Sequence, residues 1–242
     1  MVANESAGVW GRQEGNAGPA APQVVFQNAR REQNSISSGL ERRLLVWLAE
    51  RTPAGINSDH LTVLGFVSML GVGLSYAWAH WNRWGLAAAT IGLALNWLGD
   101  SLDGTLARVR NRQRPRYGFY VDHVLDSFGA LFLTSGLAMS GYLDWRVAAG
   151  MLTAFLMLSI ETYLATYTLG TFKLSFWRCG PTELRLLLGF GNLALILKPS
   201  SRVAAYRLFD VGGLIGIAGM GVMLVVTTVQ HTVKLYREER LF

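Results

Sequence analysis

Charge and cysteine are what this sequence has least of. Only 16% of its 242 residues are charged, and Cys179 is its single cysteine. Soluble domains carry roughly 25% charge, so the deficit argues against an ordinary soluble enzyme, and the 51% hydrophobic content excludes intrinsic disorder. One thiol excludes a disulfide framework and any thiolate-held metal cluster. The four histidines, His60, His80, His123 and His231, lack metal-ligand spacing and read as packing or interfacial residues. No internal repeat and no strand-like alternation is evident, and residues 1–36 contain no apolar core of signal-peptide length. That first stretch is polar, rich in Ala, Gly, Asn and Gln, and is expected to be a mobile tail.

What is abundant is apolar sequence in long runs. Six stretches, approximately Leu61–Ala79, Trp84–Leu102, Phe119–Gly141, Val147–Gly170, Leu184–Leu197 and Val211–Val233, are separated by short polar breaks. Most reach the ~20 residues of a spanning helix, and the fifth is short. Helices satisfy their own backbone in lipid, so an all-α, polytopic integral membrane protein with six transmembrane helices is expected. Upstream, Leu40, Leu44, Trp47 and Leu48 share a helical face while Glu41, Arg42, Arg43, Glu50 and Arg51 point elsewhere. This predicts an amphipathic helix over residues 39–51, lying at the membrane surface. The expected layout is a tail at 1–36 and one membrane domain at 37–242, with the spans inside 60–236.

The net charge of +6 raises the question of nucleic acid or membrane as partner. Placement answers it. All but five (Arg83, Arg146, Lys198, Arg202 and Arg207) of the 22 lysines and arginines fall on the side of the two termini and of the second-to-third and fourth-to-fifth connections. Such asymmetry puts that side in the cytoplasm. The alternating arginines from Arg108 to Arg116 resemble an RNA-binding run, but they are tied between two spans, so no nucleic-acid partner is expected.

Four of the 16 acidic residues stand where acids are costly, at the facing ends of the second and third spans. Asp100 and Asp103 are spaced i, i+3, and Asp122 and Asp126 i, i+4, so each pair occupies one helical face. The short Arg-rich connection is expected to lay the two helices side by side and antiparallel, bringing four carboxylates into one pocket. Like charges this close require a counter-charge. Oxygen donors without thiolate suit Mg²⁺, Mn²⁺ or Ca²⁺ rather than Zn²⁺, and two such ions stabilise negative oxygens in phosphoryl transfer. Gly104 and Gly118 leave room beside the acids, and Arg108 offers a fork of donors to phosphate. The competing readings are an ion-pair network neutralised by Arg108 and its neighbours, a cation transporter using the same aspartates, and an inactive partner that retains the fold.

Asp100-Ser-Leu-Asp103-Gly104-Thr-Leu-Ala107-Arg108, followed by Gly118-Phe-Tyr-Val-Asp122-His-Val-Leu-Asp126, resembles the signature of the CDP-alcohol phosphotransferase (phosphatidyltransferase) family, with all eight fixed positions filled. The resemblance implies transfer of a phospho-alcohol group from a CDP-linked donor to an acceptor hydroxyl, with release of CMP, in phospholipid synthesis. It implies metal ligation by Asp100, Asp103, Asp122 and Asp126, two Mg²⁺ or Mn²⁺ ions, and Asp126 as general base. Gly104, Ala107, Arg108 and Gly118 match the CDP-lining positions, and members are typically homodimers. Family members often have Pro-Asn before a Leu-Thr at the first span; here Asp59 replaces that Asn ahead of Leu61-Thr62.

On substrate, the run Glu161-Thr-Tyr163-Leu-Ala-Thr-Tyr167 with Glu183 resembles the choline/ethanolamine group and lacks the Arg-x-Arg-Ala-Glu run of the glycerol-phosphate and inositol-phosphate enzymes. Glu161, Tyr163 and Glu183 would suit an ammonium head group. Lys173, Arg178 and Arg185 are the opposing clue, either for a phosphorylated acceptor and hence a CDP-diacylglycerol donor, or simply for the cytoplasmic side of the membrane. The partners expected are therefore a CDP-linked substrate, a lipid and a second copy of the chain. The location expected is the bacterial inner membrane, with the active site facing the cytoplasm. The glycines of the last span (Gly212, Gly213, Gly216, Gly219 and Gly221) predict close helix packing and a dimer face.

Overall fold

The structure, a computed structural model, describes residues 38–169, 181–198, 202–203 and 206–239. The expected tail over 1–36 and the candidate residues Lys173 and Arg178 lie outside these. Seven helices follow in order: α1 (Ser38–Arg51), α2 (Ser58–Ala79), α3 (Trp84–Val109), α4 (Pro115–Ser140), α5 (Trp145–Leu169), α6 (Pro181–Leu197) and α7 (Leu208–Glu238). The one exception to all-α among the described residues is a two-residue antiparallel ladder before α7, Arg202–Val203 against Tyr206–Arg207.

Local chemistry sets the boundaries. At the start of α2 the Asn57 N–H donates to His60 Nδ1 at 3.1 Å, so His60 serves as a cap. Pro115 starts α4 with its φ already helical. Gly141 ends that helix at φ 77°, a left-handed conformation that glycine adopts without Cβ strain.

Among the described residues three helices, α2, α5 and α7, are long and apolar enough to cross a membrane. That is fewer than the six apolar runs. α3 and α4 have the length, at 26 residues each, but their facing ends carry the aspartates and arginines. α6 has only 17 residues. Large apolar side chains such as Val67, Leu74, Ile91, Leu187 and Val222 stand exposed on the outside of the bundle, as a lipid-facing surface requires.

The packing corrects one expectation. α3 and α4 do not form a continuous seam; α2 packs along both of them. Glycines make this arrangement fit. A Cβ on Gly99 of α3 would come 2.6 Å from the Gly65 nitrogen of α2, and one on Gly136 of α4 would come 2.6 Å from the Gly73 Cα of α2. Both seams are therefore backbone against backbone.

α1 covers the aspartate end of α3. Leu45 and Ala49 are buried with Leu61, Leu102 and Leu106, while Leu44 and Trp47 face outward. The helix thus has an inward apolar face that the sequence periodicity did not single out. Glu41 pins it further, accepting from Trp97 Nε1 at 2.9 Å and from Thr182 Oγ1 at 3.3 Å. At mid-bundle Tyr76 donates to Asn192 Oδ1 at 3.1 Å, and Asn192 Nδ2 donates to Thr90 Oγ1 at 3.0 Å. This polar key joins α2, α3 and α6 inside the larger apolar core of Val72, Leu86, Leu93, Leu137 and Leu195.

Candidate active site

The centre of the site is Asp103, which is 8% exposed. A buried carboxylate needs donors, and α2 supplies one where it crosses α3: Thr62 Oγ1 donates to Asp103 Oδ2 at 2.7 Å. The Gly104 N–H donates to the other oxygen at 2.5 Å, and Ser58 Oγ donates to the Asp103 carbonyl at 2.8 Å. Asp100 from the preceding turn and Asp122 from α4 each set a negative charge against Asp103. Asp103 therefore feels two of the other three motif aspartates, Asp100 on its own helix and Asp122 on α4. Asp126 lies one turn beyond Asp122, is exposed, and acts electrostatically on the Tyr163 hydroxyl of α5.

Asp100 has a cation. Arg185 of α6 donates from Nη2 to Asp100 Oδ2 at 2.7 Å and from Nε to Asn96 Oδ1 at 3.0 Å. Asn96, itself 9% exposed, donates to the Gly65 carbonyl at 3.0 Å. Arg108 lies back along its own helix: Nη2 donates to Thr105 Oγ1 at 3.0 Å, and Nη1 is 3.5 Å from where a Gly104 Cβ would be. Ala107 opens onto a cleft of about 340 Å³ whose wall also includes Asn57, Ser58, Arg110, Arg112 and Arg114. Two of those arginines are committed to folding the connection. Arg110 donates to the carbonyls of Thr52, Pro53 and Ile56, and Arg114 pairs with Asp59 while stacking 4.2 Å over Tyr117. The Asp59 that departs from the family pattern thus has a structural partner.

The proposed head-group residues are not gathered in one place. Glu161 meets His231 of α7 at 2.6 Å. Tyr163 turns the other way, stacking 4.9 Å from His123, and Phe119 packs against both rings, 4.2 Å from His123 and 6.5 Å from Tyr163. Glu183 is half-buried near the start of α6, Arg185 bonds to Asp100, and Tyr163 lies within electrostatic reach of Asp126.

The aspartates suit hard divalent cations by their chemistry: the donors are all carboxylate oxygens, and Asp122 of α4 is near enough to act on Asp103 of α3. Among the described residues no three His, Cys, Asp or Glu side chains are drawn into a closed cage. The fit therefore rests on donor type. Sequence reasoning missed Thr62, Ser58 and Asn96 as supports of the site. The Leu61-Thr62 pair was visible ahead of the motif, but nothing local shows that its hydroxyl reaches Asp103.

Gly118 has no heavy atom within 4 Å of a Cβ position. Gly118→Ala should therefore leave the melting midpoint unchanged or raise it, since alanine is the better helix former by ~1 kcal/mol. If the open space serves the nucleotide, the same change should weaken CDP-alcohol binding about tenfold. Thermal melting and binding titration on one sample check both.

A helical membrane bundle with convergent aspartates and an adjoining arginine-lined cleft defines a class, a membrane-embedded group-transfer enzyme acting on phosphates. The family model for CDP-alcohol phosphatidyltransferase matches residues 57–229, and the chain belongs to that family. Its members are transferases of substituted phosphate groups, use a CDP-alcohol and are generally divalent-metal dependent. No curated protein matches the chain.

Proposed function

We propose that the protein catalyses divalent-metal-dependent transfer of a phospho-alcohol group from a CDP-linked donor to a lipid or polar hydroxyl. The observation that carries this is Asp103, buried, fixed by Thr62, and opposed by the charges of Asp100 and Asp122. Asp100, Asp103 and Asp122 would hold Mg²⁺ or Mn²⁺, with Asp126 completing a second site; the ions supply charge neutralisation on the diphosphate. Asp126 takes the proton of the acceptor hydroxyl as its oxygen bonds to the donor's β-phosphorus. The bond from that phosphorus to the bridging oxygen breaks, and CMP leaves with the electron pair. Gly104, Ala107, Arg108 and Gly118 bind the nucleotide portion, a role supported by the open space at Gly118 and by the cleft beside Ala107.

The fourth-span sequence favours a CDP-choline or CDP-ethanolamine type donor with a diacylglycerol-like acceptor. A specific observation favours a second reading: Arg185 beside Asp100 suits a CDP-diacylglycerol donor with an anionic polar alcohol. The proposed setting is a six-span protein of the bacterial inner membrane with the aspartates toward the cytoplasm, as the lysine and arginine placement supports. We place a homodimer contact on α7, where Gly212, Gly216, Gly219 and Gly221 have nothing near a Cβ position, whereas Gly213 packs on Val147 and Met151 within the chain.

The test is CMP release by the purified protein in lipid with Mn²⁺ or Mg²⁺. One arm offers CDP-choline and CDP-ethanolamine with diacylglycerol, the other CDP-diacylglycerol with polar alcohols. Release that a chelator stops is expected in one arm and identifies which substrate carries the nucleotide. Ion flux with no CMP from any pair would replace the enzyme by a transporter.

A further inference from the structure

Arg185 reaches the aspartates from a helix outside the motif. Its position is set by the bundle: Nε is held by Asn96, and Asn96 is held by the Gly65 carbonyl, so the guanidinium is aimed from α2 through α3 before it meets Asp100. The Arg185 side chain is 16% exposed and that of Asp100 is 42% exposed, so the pair lies at the rim of the site rather than in its floor. Asp103, at the floor, takes its donors from Thr62 and Gly104 instead. The two carboxylates of the first pair are thus treated differently, one satisfied by neutral donors and the other by a fixed cation.

We infer that Arg185 is a built-in competitor for Asp100: its guanidinium and a divalent ion vie for the same carboxylate, and the site binds its ion more weakly because Arg185 is there. This rests on the metal role proposed above for the aspartates. Two effects act in the same direction. A guanidinium bonded to Asp100 Oδ2 withdraws one oxygen from a cation's reach, and its positive charge repels a cation brought to Asp100 or Asp103. The opposing interpretation, that Arg185 merely orients Asp100 for the ion, gives the other sign: removing it would weaken the ion. The structure favours competition because Asp100 sits on a continuous helix that already fixes its backbone, and the guanidinium occupies the Asp100 Oδ2 oxygen itself. Arg185 is then a positioning residue. It sets how readily Asp100 turns to the ion, and an ion that captures Asp100 frees a guanidinium at the rim of the site. By linkage, an anion that takes the freed guanidinium strengthens ion binding.

The experiment measures Mn²⁺ affinity directly, by the loss of the free-ion electron paramagnetic resonance signal on titration in detergent, with no substrate present. Arg185→Gln should bind Mn²⁺ about tenfold more tightly than the unaltered chain, a modest factor because the pair is partly solvated. Arg185→Lys, which keeps the charge but lacks the fork that spans Asn96 and Asp100, should fall between the two. Unchanged or weaker Mn²⁺ binding in Arg185→Gln overturns competition. Should that variant fail to fold, Arg185→Lys decides by the same sign. Asp122→Asn keeps the two failures distinct: if it binds Mn²⁺ as well as the unaltered chain, the aspartates are not the ion site and the proposed function falls first. If it loses Mn²⁺ while Arg185→Gln shows no gain, only the competition is wrong.

Discussion

Asp126→Asn is expected to cut CMP release by about 10²–10⁴-fold, the range a general base contributes, while CDP-alcohol binding changes little. The separation follows from where Asp126 stands. Asp100 and Asp122 act on Asp103, whereas Asp126 is exposed one turn further along α4, within electrostatic reach of Tyr163. An amide in its place keeps the volume and one acceptor oxygen but cannot take up a proton at neutral pH. Single-turnover CMP release and equilibrium binding of the donor, measured on the same preparation, check the split. Full turnover in the variant would reject Asp126 as the base. Loss of binding in step with turnover would assign it to holding the ion instead.

Gly99→Ala should be nearly as damaging by a different route. The new methyl would meet the Gly65 nitrogen at 2.6 Å and the Leu61 carbonyl oxygen at 2.7 Å, both backbone atoms that cannot turn aside. The α2–α3 seam must open, at a cost of about 3 kcal/mol, the upper range for overpacking. Opening it also draws Thr62 away from Asp103 and moves Asp100, the residue next to Gly99, relative to α4. A fall in melting midpoint together with lost CMP release is expected. Gly92→Ala is the matched control on the same helix: its methyl meets the movable Val72 Cγ2 at 2.7 Å, so a smaller loss should follow. Equal losses would mean that helix propensity or expression, rather than the backbone contact, limits both.

These two cases mark the boundary of what the sequence makes legible. The family, the four aspartates and the arginine and glycines beside them are readable because eight positions fall within residues 100–126, where chain order and helical period decide the pattern. Contacts between residues far apart in the chain were not readable. The Arg185–Asp100 pair spans 85 positions and Thr62–Asp103 spans 41, and no local periodicity encodes either. The same limit explains α2. The short Arg-rich connection suggested that α3 and α4 pack on each other, yet the glycines facing Gly65 and Gly73 place α2 against both. Glu161 and Tyr163 are two residues apart on a helix, so they point to different neighbours, His231 and His123. Composition suggested a shared head-group box there, and helical geometry separates them.

The buried Asn192 has a mechanical consequence. It lies seven residues, two turns, beyond Arg185 on α6, so both point toward α3, one at mid-bundle and one at the aspartates. Between them α6 rests on Thr90, whose methyl is 3.8 Å from a Cβ position at Gly189. A slide of α6 by one turn, ~5.4 Å, would strand the Asn192 amide among leucines, and a roll would do the same. The bonds of Asn192 thus fix the register of α6 on α3, and with it the height at which Arg185 meets the aspartates. A single buried amide in the apolar half of the bundle therefore sets which turn of α6 faces the polar half.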